Sequence, residues 1–518
     1  MRWKFPTGKR LDAEAAVAAK LRTASKFYRF LWEIRADLFD EEFQQELAAA
    51  YDPRGQEPCP PALLAMANLL QRYEGLSDAD AVDAAENDRR WQLVLGTLGK
   101  SQAPFGQGSL VRFRVRAIAH DLDKKLVDRT VELAKQTKKF GWQKLRVALD
   151  SSPLRGAGRV EDTWNLIGRA MSKVVDAIGV ALGVESSEVV EAAGITILEA
   201  DSVKAALDID WTDESAQHEA LQVLLGQVEA LEAWIRKHAK AKATTPPISD
   251  ALSLLRRVVG QDLEPDPEGG GMRIRDGVAK ERIVSISDPE MRHGRKSRST
   301  RFDGYKRHVV AANGFILGAA VQPANRQDHE ALGKLVGLAR RHGTVDALDI
   351  DRGYLPSHAI PKLRSEGVVI RSRAWRGGAP GLFRKEDFHI DLDAGVVTCP
   401  AQQQASITSD RAGFPEEACR RCQLKPYCTT AASRSIQLHP QEALLIELRR
   451  QQASSNGRAE LRQRVVIEHR LARLDAIQGP KARYKGARKN ELDVNRAAAV
   501  ANLMEYARVR RGPRRRAA

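Results

Sequence analysis

Two β-branched runs around one dipeptide restrict this chain to folds that contain a sheet. The runs "GYKRHVVAA" and "FILGAAVQP" flank Asn313-Gly314. Asn-Gly between two such runs favours a tight hairpin, because both residues tolerate positive φ. "DHEALGKLVGLARRHG" predicts a helix capped by Gly343. "TVDALDID", "LPSHAIPKLRSEG" and "VVIRSR" then predict a strand, a helix and a strand, which indicates a mixed α/β sheet.

Helices are predicted on either side of the first strand. Residues 1–140 repeat apolar residues at helical spacing, with Ser77 as a predicted N-cap. "KLRVALD" predicts a short strand that ends at Asp150, before two serines and a proline. Residues 166–262 return to helical periodicity, "EPDPEGGGMR" predicts a flexible link and "RIVSISD" a further strand. The expected fold class is an α/β core with an all-α N-terminal domain and an all-α insert.

The pentapeptide ALDID occurs twice, at residues 206–210 and 347–351. In the first copy, Asp208 and Asp210 precede "WTDESA", which predicts a helix start with Thr212 as its N-cap. We interpret these two as solvated carboxylates. In the second copy, Asp349 and Asp351 alternate along a predicted strand and therefore face the same way.

The predicted strand ends place acidic groups where α/β sheets bind ligands. Asp150 and Asp351 both stand at the carboxyl end of a predicted strand. Neighbouring carboxylates repel unless a cation lies between them, and oxygen ligands suit Mg²⁺ or Mn²⁺. A third carboxylate, Glu468, interrupts the apolar side of "LRQRVVIEHRLARLDAI", where an ion pair with Arg464 is compatible with a metal role. The alternative for each aspartate is a turn or cap residue.

The composition fits a globular protein that binds a polyanion. The 518 residues are 43% hydrophobic and 29% charged, with a net charge of +16. No stretch approaches the ~18 apolar residues of a membrane span, and the start lacks the apolar region of a secretory signal. We therefore expect a soluble, cytoplasmic protein without a membrane partner.

Basic residues concentrate in "MRHGRKSRSTRFDGYKRH", beside the predicted sheet. This density favours contacts with DNA phosphates, with a solvated loop as the alternative. "RVRRGPRRRAA" predicts a disordered tail that adds salt-sensitive affinity. In "VRFRVR" at 111–116, alternate arginines cannot all share one helix face, so part of the set must face solvent. The candidates for phosphate contact beside the sheet are Arg295, Lys296, Arg298, Arg301, Lys306 and His308. Lys306 and His308 alternate on the predicted strand "GYKRH" and are also candidates to face the metals.

Four of the five cysteines lie within thirty residues. The C-x-x-C pair is typical of a knuckle that presents two thiolates to one zinc ion, although reduced structural thiols are the alternative. All four ligand positions would be filled by protein, so the zinc would be structural. We expect the nearby Trp375 to pack in a core rather than to stack on a base. The candidate zinc ligands are Cys399, Cys419, Cys422 and Cys428.

Several segments in sequence order resemble the DDE transposases of bacterial insertion sequences. They are "SDPEMRHGRKSRSTRFDGYKRHVV", "VQPANRQDHE", "DIDRGY" and "RVVIEHRLARL". The likeness is to the eleven-eighty-two-type branch, related to a larger family with an Arg-x-x-x-Glu catalytic helix. The helical segment from "YDPRGQEPCPP" to "WQLVLG" is similar to the N-terminal region of these enzymes.

This resemblance implies an RNase-H-like core in which Asp150, Asp351 and Glu468 hold two divalent ions, Mg²⁺ or Mn²⁺. Arg464 matches the arginine four residues before the catalytic glutamate. Leu461 and Asp475 stand where the related pattern has a tyrosine and a lysine, so contacts to the DNA end by those positions are in doubt. Arg473 or Lys481 are the candidate substitutes.

The resemblance also implies a function and a set of regions along the chain. The function would be two-metal hydrolysis and strand transfer at the ends of an insertion sequence, by at least a dimer on double-stranded DNA in the nucleoid. The alternatives are a transposase-derived DNA-binding protein without catalysis and an RNase-H-like structure-selective nuclease. The expected regions are a DNA-binding and dimerisation region at 1–140, the catalytic core at 141–165 and 281–376, a helical insert and linker at 166–280, a Cys-rich zinc-ribbon-like insert at 377–455, a catalytic-helix region at 456–507 and a basic tail at 508–518.

Overall fold

The N-terminal region is helical, as predicted. The computed structural model describes residues 1–52, 54, 57–137, 141–267, 270–297, 299–374 and 380–510. Ser77 caps its helix as predicted, because its hydroxyl accepts the Asp80 N–H at 3.1 Å. The helices are α1 (Lys9–Lys20), α2 (Lys26–Leu38), α3 (Glu41–Ala48), α4 (Pro61–Glu74), α5 (Asp78–Asn87), α6 (Arg89–Leu95), α7 (Gln107–Ala119) and α8 (Leu122–Lys135).

The first strand, β1 (Lys144–Arg155), is longer than predicted. It does not end at Asp150, because its second half pairs antiparallel with a later strand, and even Pro153 keeps a partner there, Lys306. Leu145, Val147 and Leu149 point to one core, whereas Asp150 points to the other face. The strand therefore carries Asp150 across the middle of the sheet.

A helical insert follows β1, as the periodicity predicts. Its helices pack around a separate core that includes Trp164, Leu224 and Leu255. The segment predicted as a flexible link is instead flanked by a short antiparallel hairpin, although residues 268–269 lie outside the described part. The elements are α9 (Thr163–Leu182), α10 (Ser186–Ala193), α11 (Val203–Leu207), α12 (Glu214–His238), α13 (Ile248–Asp262), β2 (Leu263–Pro265) and β3 (Met272–Ile274).

The main sheet combines antiparallel and parallel strands in the order β4-β5-β1-β7-β8, with β6 also paired to β5. β1 runs antiparallel to β5 and parallel to β7, and β7 runs parallel to β8. The Asn313-Gly314 hairpin is confirmed, with φ of 53° and 85°. The elements are β4 (Arg292–Arg295), β5 (Arg301–Ala312), β6 (Phe315–Pro323), α14 (Leu332–Arg340), β7 (Thr344–Asp349), α15 (Ala359–Ser365) and β8 (Val369–Arg371).

Two predictions near this sheet are wrong. "RIVSISD" forms no strand; its apolar Ile283 and Ile286 pack instead against the core of the helical insert. Gly343 does not cap α14, which ends at Arg340. A side chain at Gly343 would lie 2.1 Å from the Trp142 carbonyl oxygen, so glycine is needed there for a close approach of the backbone.

A second, antiparallel sheet lies between β8 and the last helices. Its strands follow the order β13-β12-β11-β10-β9 and enclose a small core of Phe388, Val397, Phe414 and Ile436. The elements are β9 (His389–Asp391), β10 (Val396–Thr398), β11 (Gln404–Thr408), β12 (Arg411–Gly413), α16 (Glu416–Arg420) and β13 (Ser435–Gln437).

The C-terminal helices return to the main sheet. They are α17 (Glu442–Ala453), α18 (Ser455–Arg462), α19 (Val465–Gln478) and α20 (Ala487–Arg510). α20 is buried along most of its length between the N-terminal helices and β6. Its Asp493 pairs with Arg496 at 2.6 Å and with Arg72 of α4 at 3.1 Å. Its Asn502 side chain also exchanges two hydrogen bonds of 2.8 Å with the backbone of Ile316 in β6.

Candidate active site

The strand register brings the aspartates of β1 and β7 together. The last paired residues of the parallel ladder are Ala148 and Asp349. Asp150 and Asp351 each stand two residues further on, at the same edge of the pairing and on the same face. Both line a cleft of about 680 Å³. Asp351 comes directly before the turn at Arg352, as predicted from the sequence.

The helix α19 adds Glu468 and Arg464 to this cleft. Both residues line the cavity, one turn apart at the start of the helix. The Arg464 guanidinium lies 2.6 Å from an Asp351 oxygen and 3.3 Å from an Asp150 oxygen. A cation therefore already bridges the two aspartates, and it is supplied by the arginine that the sequence paired with Glu468.

The electrostatics of the cleft reflect crowding of negative charge. Burial raises the pKa of the Asp150 carboxyl; Asp351 and Glu468 raise it further, and Arg464 opposes the rise. Burial disfavours the Arg464 cation, but the hydrogen bond to Asp351 and the surrounding carboxylates outweigh burial and raise the pKa of Arg464. The carboxylate cluster thus stabilises a positive charge at its centre.

Asp349, the other aspartate of the second pentapeptide, plays a different part. It is buried and accepts two hydrogen bonds from Arg146 of β1, at 2.6 and 2.9 Å. The same guanidinium donates to the side chain of Gln463 and, at 3.1 Å, to the carbonyl of Glu460. Asp349 therefore orients an arginine that ties the segment before α19 to the sheet.

Asp328 is a fourth acidic group in the cleft, and no role was predicted for it. Its carboxylate accepts from Lys306 Nζ at 2.9 Å and from the Ser151 hydroxyl at 3.2 Å. A side chain at Gly353 would lie 2.9 Å from it. Asp328 therefore binds the neighbour of Asp150 and lies close against the turn that follows Asp351. Its segment, "NRQDHE", entered the sequence analysis only through the family resemblance and the predicted helix, and neither assigned Asp328 a role.

The predicted phosphate-binding residues divide into three groups. Arg295, Lys296 and Lys306 line the cleft, and Arg301 is exposed beside Arg295 in the paired strands. Arg298 lies outside the described residues. His308 contradicts the prediction of a phosphate contact, because it is fully buried and its Nδ1 lies 2.8 Å from the Tyr354 hydroxyl.

Burial also lowers the pKa of His308 to about 4, so that the ring is neutral near pH 7.

The arginines of "VRFRVR" lie in the N-terminal region, where Arg114 pairs with Asp78 at 2.5 Å and Arg116 lies over the Tyr51 ring. Arg112 is exposed, as the alternation in "VRFRVR" requires. Trp375 and residues 511–518 of the basic tail lie outside the described part of the chain.

Asp475 has a structural partner that explains its place in α19. It forms an ion pair with Arg307, a β5 residue whose side chain is 1% exposed. Burial lowers the pKa of Arg307, and the charge of Asp475 offsets this. Arg307 also donates to the Ser152 hydroxyl at 2.7 Å. The acid at this position therefore compensates a buried cation, as a lysine there could not.

The four clustered cysteines line one small cavity of the second sheet. All are free thiols, and the Gln403 N–H points to Cys399 Sγ at 3.3 Å. Burial raises the pKa of the Cys428 thiol, Arg434 opposes the rise, and the other three cysteines add to it. In the described part of the chain, no three His, Cys, Asp or Glu side chains are placed closely enough to hold a metal ion.

A cleft of this kind already defines a class of protein. Carboxylates from two strands and a helix, with cationic residues on the walls, suit an enzyme that handles a polyanion. Two family models sharpen this. "Transposase domain (DUF772)" matches residues 20–116, and "Transposase DDE domain" matches residues 396–507.

Together the two matches indicate a DDE-type transposase. They support a transposase function, and the DDE domain implies an enzyme that cleaves DNA and transfers its strands. Such enzymes act on DNA and generally use divalent metal ions such as Mg²⁺. The searches of curated proteins and of solved structures gave no match. The helices of the described residues include none with the length and apolarity needed to span a membrane.

Proposed function

We propose that Asp150, Asp351 and Glu468 are the catalytic carboxylates of an RNase-H-like core, in a transposase that acts at the ends of an insertion sequence. The observation that carries this proposal is their convergence on one cleft from three separate parts of the chain, the first strand, the strand before Asp351 and the helix of Glu468. The mixed sheet supports the core assignment: a hairpin antiparallel to β1 on one side, and two parallel strands on the other.

The donor set suits hard divalent cations, because all three groups offer oxygen ligands. Like the cysteines, the three carboxylates would have to move closer together on binding, because among the described residues they are not grouped closely enough to hold a metal. When bound, two such ions would activate a water or a 3′-hydroxyl and stabilise the leaving oxygen of a phosphodiester. Metal binding would require the Arg464 guanidinium to move away from the carboxylates, since it now bridges Asp150 and Asp351. Arg464 would then be available to a DNA phosphate.

The remaining residues of the cleft position these groups. The Lys306 ammonium forms an ion pair with Asp328, so it fixes the position of the Asp328 carboxylate and is not free to bind a phosphate. Within the described residues Arg295 forms no ion pair, whereas the charge of Lys296 acts on Asp475 of the same cleft; together they form a cationic wall for the DNA backbone. Asp349 acts through Arg146, and His308 supports the turn through Tyr354.

The four cysteines are proposed to hold a structural zinc ion. Support comes from the shared cavity and from the N–H that points at Cys399 Sγ, since thiolates at zinc sites accept such bonds. The thiols would have to move closer together on binding, because they are not grouped closely enough to hold a metal. Zinc content per chain, measured on protein purified without chelator, tests this proposal independently of activity.

The enzyme is proposed to act as at least a dimer, because both element ends must be held in one complex.

The direct test of the proposed catalytic site is a cleavage and strand-transfer assay on DNA ends from the flanking genome, with Mg²⁺, Mn²⁺ or EDTA. Joined products that need metal and vanish in Asp351→Asn are expected. Cleavage without joining would favour a structure-selective nuclease. Binding of those ends without cleavage in any metal would favour a transposase-derived DNA-binding protein.

A further inference from the structure

We propose that a groove leading out of the catalytic cleft is a phosphodiester-binding site for DNA outside the element end, either the flanking DNA before cleavage or the target DNA during joining. Its wall is built by four arginines, Arg352, Arg373, Arg458 and Arg462. The proposal rests on the proposed function, because it concerns the path of the substrate through that cleft. None of the four was a predicted contact.

The groove is a continuation of the cleft rather than a separate pocket. It has a volume of about 520 Å³, and its other lining residues are Gln452 and Leu461. Arg373, Leu461 and Arg462 line both the groove and the cleft. Arg352 follows Asp351 directly, and Arg462 stands two residues before Arg464. A strand that leaves the carboxylates on this side therefore enters the groove at once.

In the described part of the chain, no ion pair neutralises the charges of the groove. Nearby arginines outside it are paired: Arg371 lies 2.8 Å from Glu460 and Arg364 lies 2.9 Å from Glu447. Within the described part of the chain, none of the four groove arginines has a carboxylate within 4 Å, and the groove lining contains no acidic residue. Arg458 donates only to the Ala453 carbonyl, at 2.6 Å.

Unpaired like charges side by side repel one another, so this arrangement costs stability unless a polyanion is bound. Guanidinium groups match phosphate geometry in a planar, two-point contact, which a lysine cannot reproduce. The opposite part of the cleft carries Arg295 and Lys296. A DNA strand would therefore have cations on both sides of the carboxylates, which themselves repel phosphates until metal is bound.

Two DNA strands have the phosphodiester backbone that this groove would bind. One is the flanking DNA that is still attached to an uncut element end, and the other is target DNA during joining. Three probes separate them: an element end that stops at the cleavage position, the same end with flanking DNA, and a branched product that carries target arms. Binding is measured in EDTA over a range of NaCl concentrations, so that no catalysis is needed.

The test variant replaces three groove arginines with glutamine: Arg352→Gln, Arg373→Gln and Arg462→Gln. Arg458 is left in place because of its backbone contact. The matched control makes the same charge change at three arginines outside the cleft that are each paired with a carboxylate: Arg340→Gln, Arg364→Gln and Arg420→Gln. A lysine version of the test variant keeps the charge but loses the planar fork.

The slope of log affinity against log salt should shrink by about 2 to 3 in the test variant, since each lost contact removes roughly 0.7–0.9. We expect this on the flanked end, on the branched product or on both, which identifies the strand, and not on the trimmed end. The lysine variant should keep the slope with weaker binding, and the control should match wild type.

Unchanged slopes on all three probes would overturn the proposal, and so would an equal loss on the trimmed end. Melting curves show whether the test variant is folded. If it is unfolded, the DNA affinity of the lysine variant is compared with that of wild type instead. A wild type that cuts and joins while the groove variant binds normally would leave the proposed function standing and remove only the groove.

Discussion

The pentapeptide at 206–210 and its copy at 347–351 share every side chain, but their surroundings differ in each respect that matters for chemistry. In the first, Leu207 ends α11, Asp208 follows with φ of 42°, and Asp210 accepts from Thr212 N at 2.9 Å. The following helix is capped by Asp213, not by the predicted Thr212. Both aspartates are exposed, as predicted for solvated carboxylates.

In the second copy, the strands on either side change the meaning of the same residues. Leu348 and Ile350 are fully buried in the sheet core, Asp349 faces Arg146 across β1, and Asp351 reaches the cleft. An acidic group therefore acquires a chemical role here from the partner strand and from α19. The aspartate itself is the same in both places.

The largest difference between the copies is expected at their last aspartate. Asp351→Asn should abolish joined products with Mg²⁺, because it removes a carboxylate from the proposed metal site. Its equivalent, Asp210→Asn, should leave joining at the wild-type level. Since Asp351 is 54% exposed, both variants should melt near wild type. Equal joining by Asp351→Asn would make Asp351 a turn residue and refute the proposed site.

A smaller effect is expected at the first aspartate of each copy. Asp349→Asn should weaken activity by about 10–100-fold, the range seen for residues that orient a metal-site ligand. Arg146 would lose its buried partner and release the segment around Glu460 and Gln463. Asp208→Asn should have no effect on activity.

Hydrogen exchange gives an independent measure of the Asp349 effect. Amides of residues 455–464 should exchange faster in Asp349→Asn, because α18 is tied to the sheet through Arg146. The same amides in Asp208→Asn serve as the control. Lost activity with unchanged exchange would mean that Asp349 acts on the cleft by another route.

Substitution of the isoleucine between the two aspartates of each copy is expected to change the free energy of unfolding, not the activity. Ile350→Ala should lower the free energy of unfolding by about 2–5 kcal/mol, because the side chain is fully buried in a packed core. Ile209→Ala should cost less, since Ile209 is only partly buried at the edge of the insert core. Urea unfolding of both variants measures the difference. Equal midpoints would show that the insert core is as tightly packed as the sheet.

The smallest expected effect is a pH dependence of opposite sign at Asp150 and Asp210. The pKa of Asp150 is raised by burial above its ordinary 3.8, so its contribution to stability is present below that value and is lost as pH rises through the raised pKa. Asp150→Asn should therefore raise the melting temperature in EDTA at neutral pH. The gain should shrink as pH falls toward 4.

Hydrogen bonds from Thr212 lower the pKa of Asp210, so its contribution is present above 3.8 and is lost as pH falls through the lowered pKa. Asp210→Asn should lower the melting temperature slightly at neutral pH, and the difference should disappear in acid. Melting curves from pH 3 to 8 in EDTA check both signs. A parallel pH profile for the two variants would contradict this assignment.

Local patterns predicted the elements whose cause is local. The hairpin at Asn313-Gly314 and the N-cap at Ser77 depend on residues within a few positions of each other, and both formed as expected. The helical periodicity before residue 135 and in the insert also agrees with the structure. The three carboxylates could be proposed from the strand pattern, the helix pattern and the family resemblance together.

What escaped prediction depends on partners that are distant in sequence. β1 continues past Asp150 because β5 pairs with it, which no property of residues 150–154 reveals. Arg307 is buried because Asp475 lies opposite it, and His308 is buried beneath Tyr354 although its neighbours are basic. Arg464 between two aspartates follows from tertiary packing, not from its spacing to Glu468.

The burial of α20 has a genetic consequence. This helix packs on α4 and α8 of the N-terminal region and on β6 of the sheet; its Asp493 pairs with Arg72 of α4, and its Asn502 hydrogen-bonds to Ile316 of β6. A frameshift or stop codon before Ala487 would therefore remove the support of both regions at once. Alleles that keep DNA binding while losing cleavage should arise by substitution in the cleft and not by truncation.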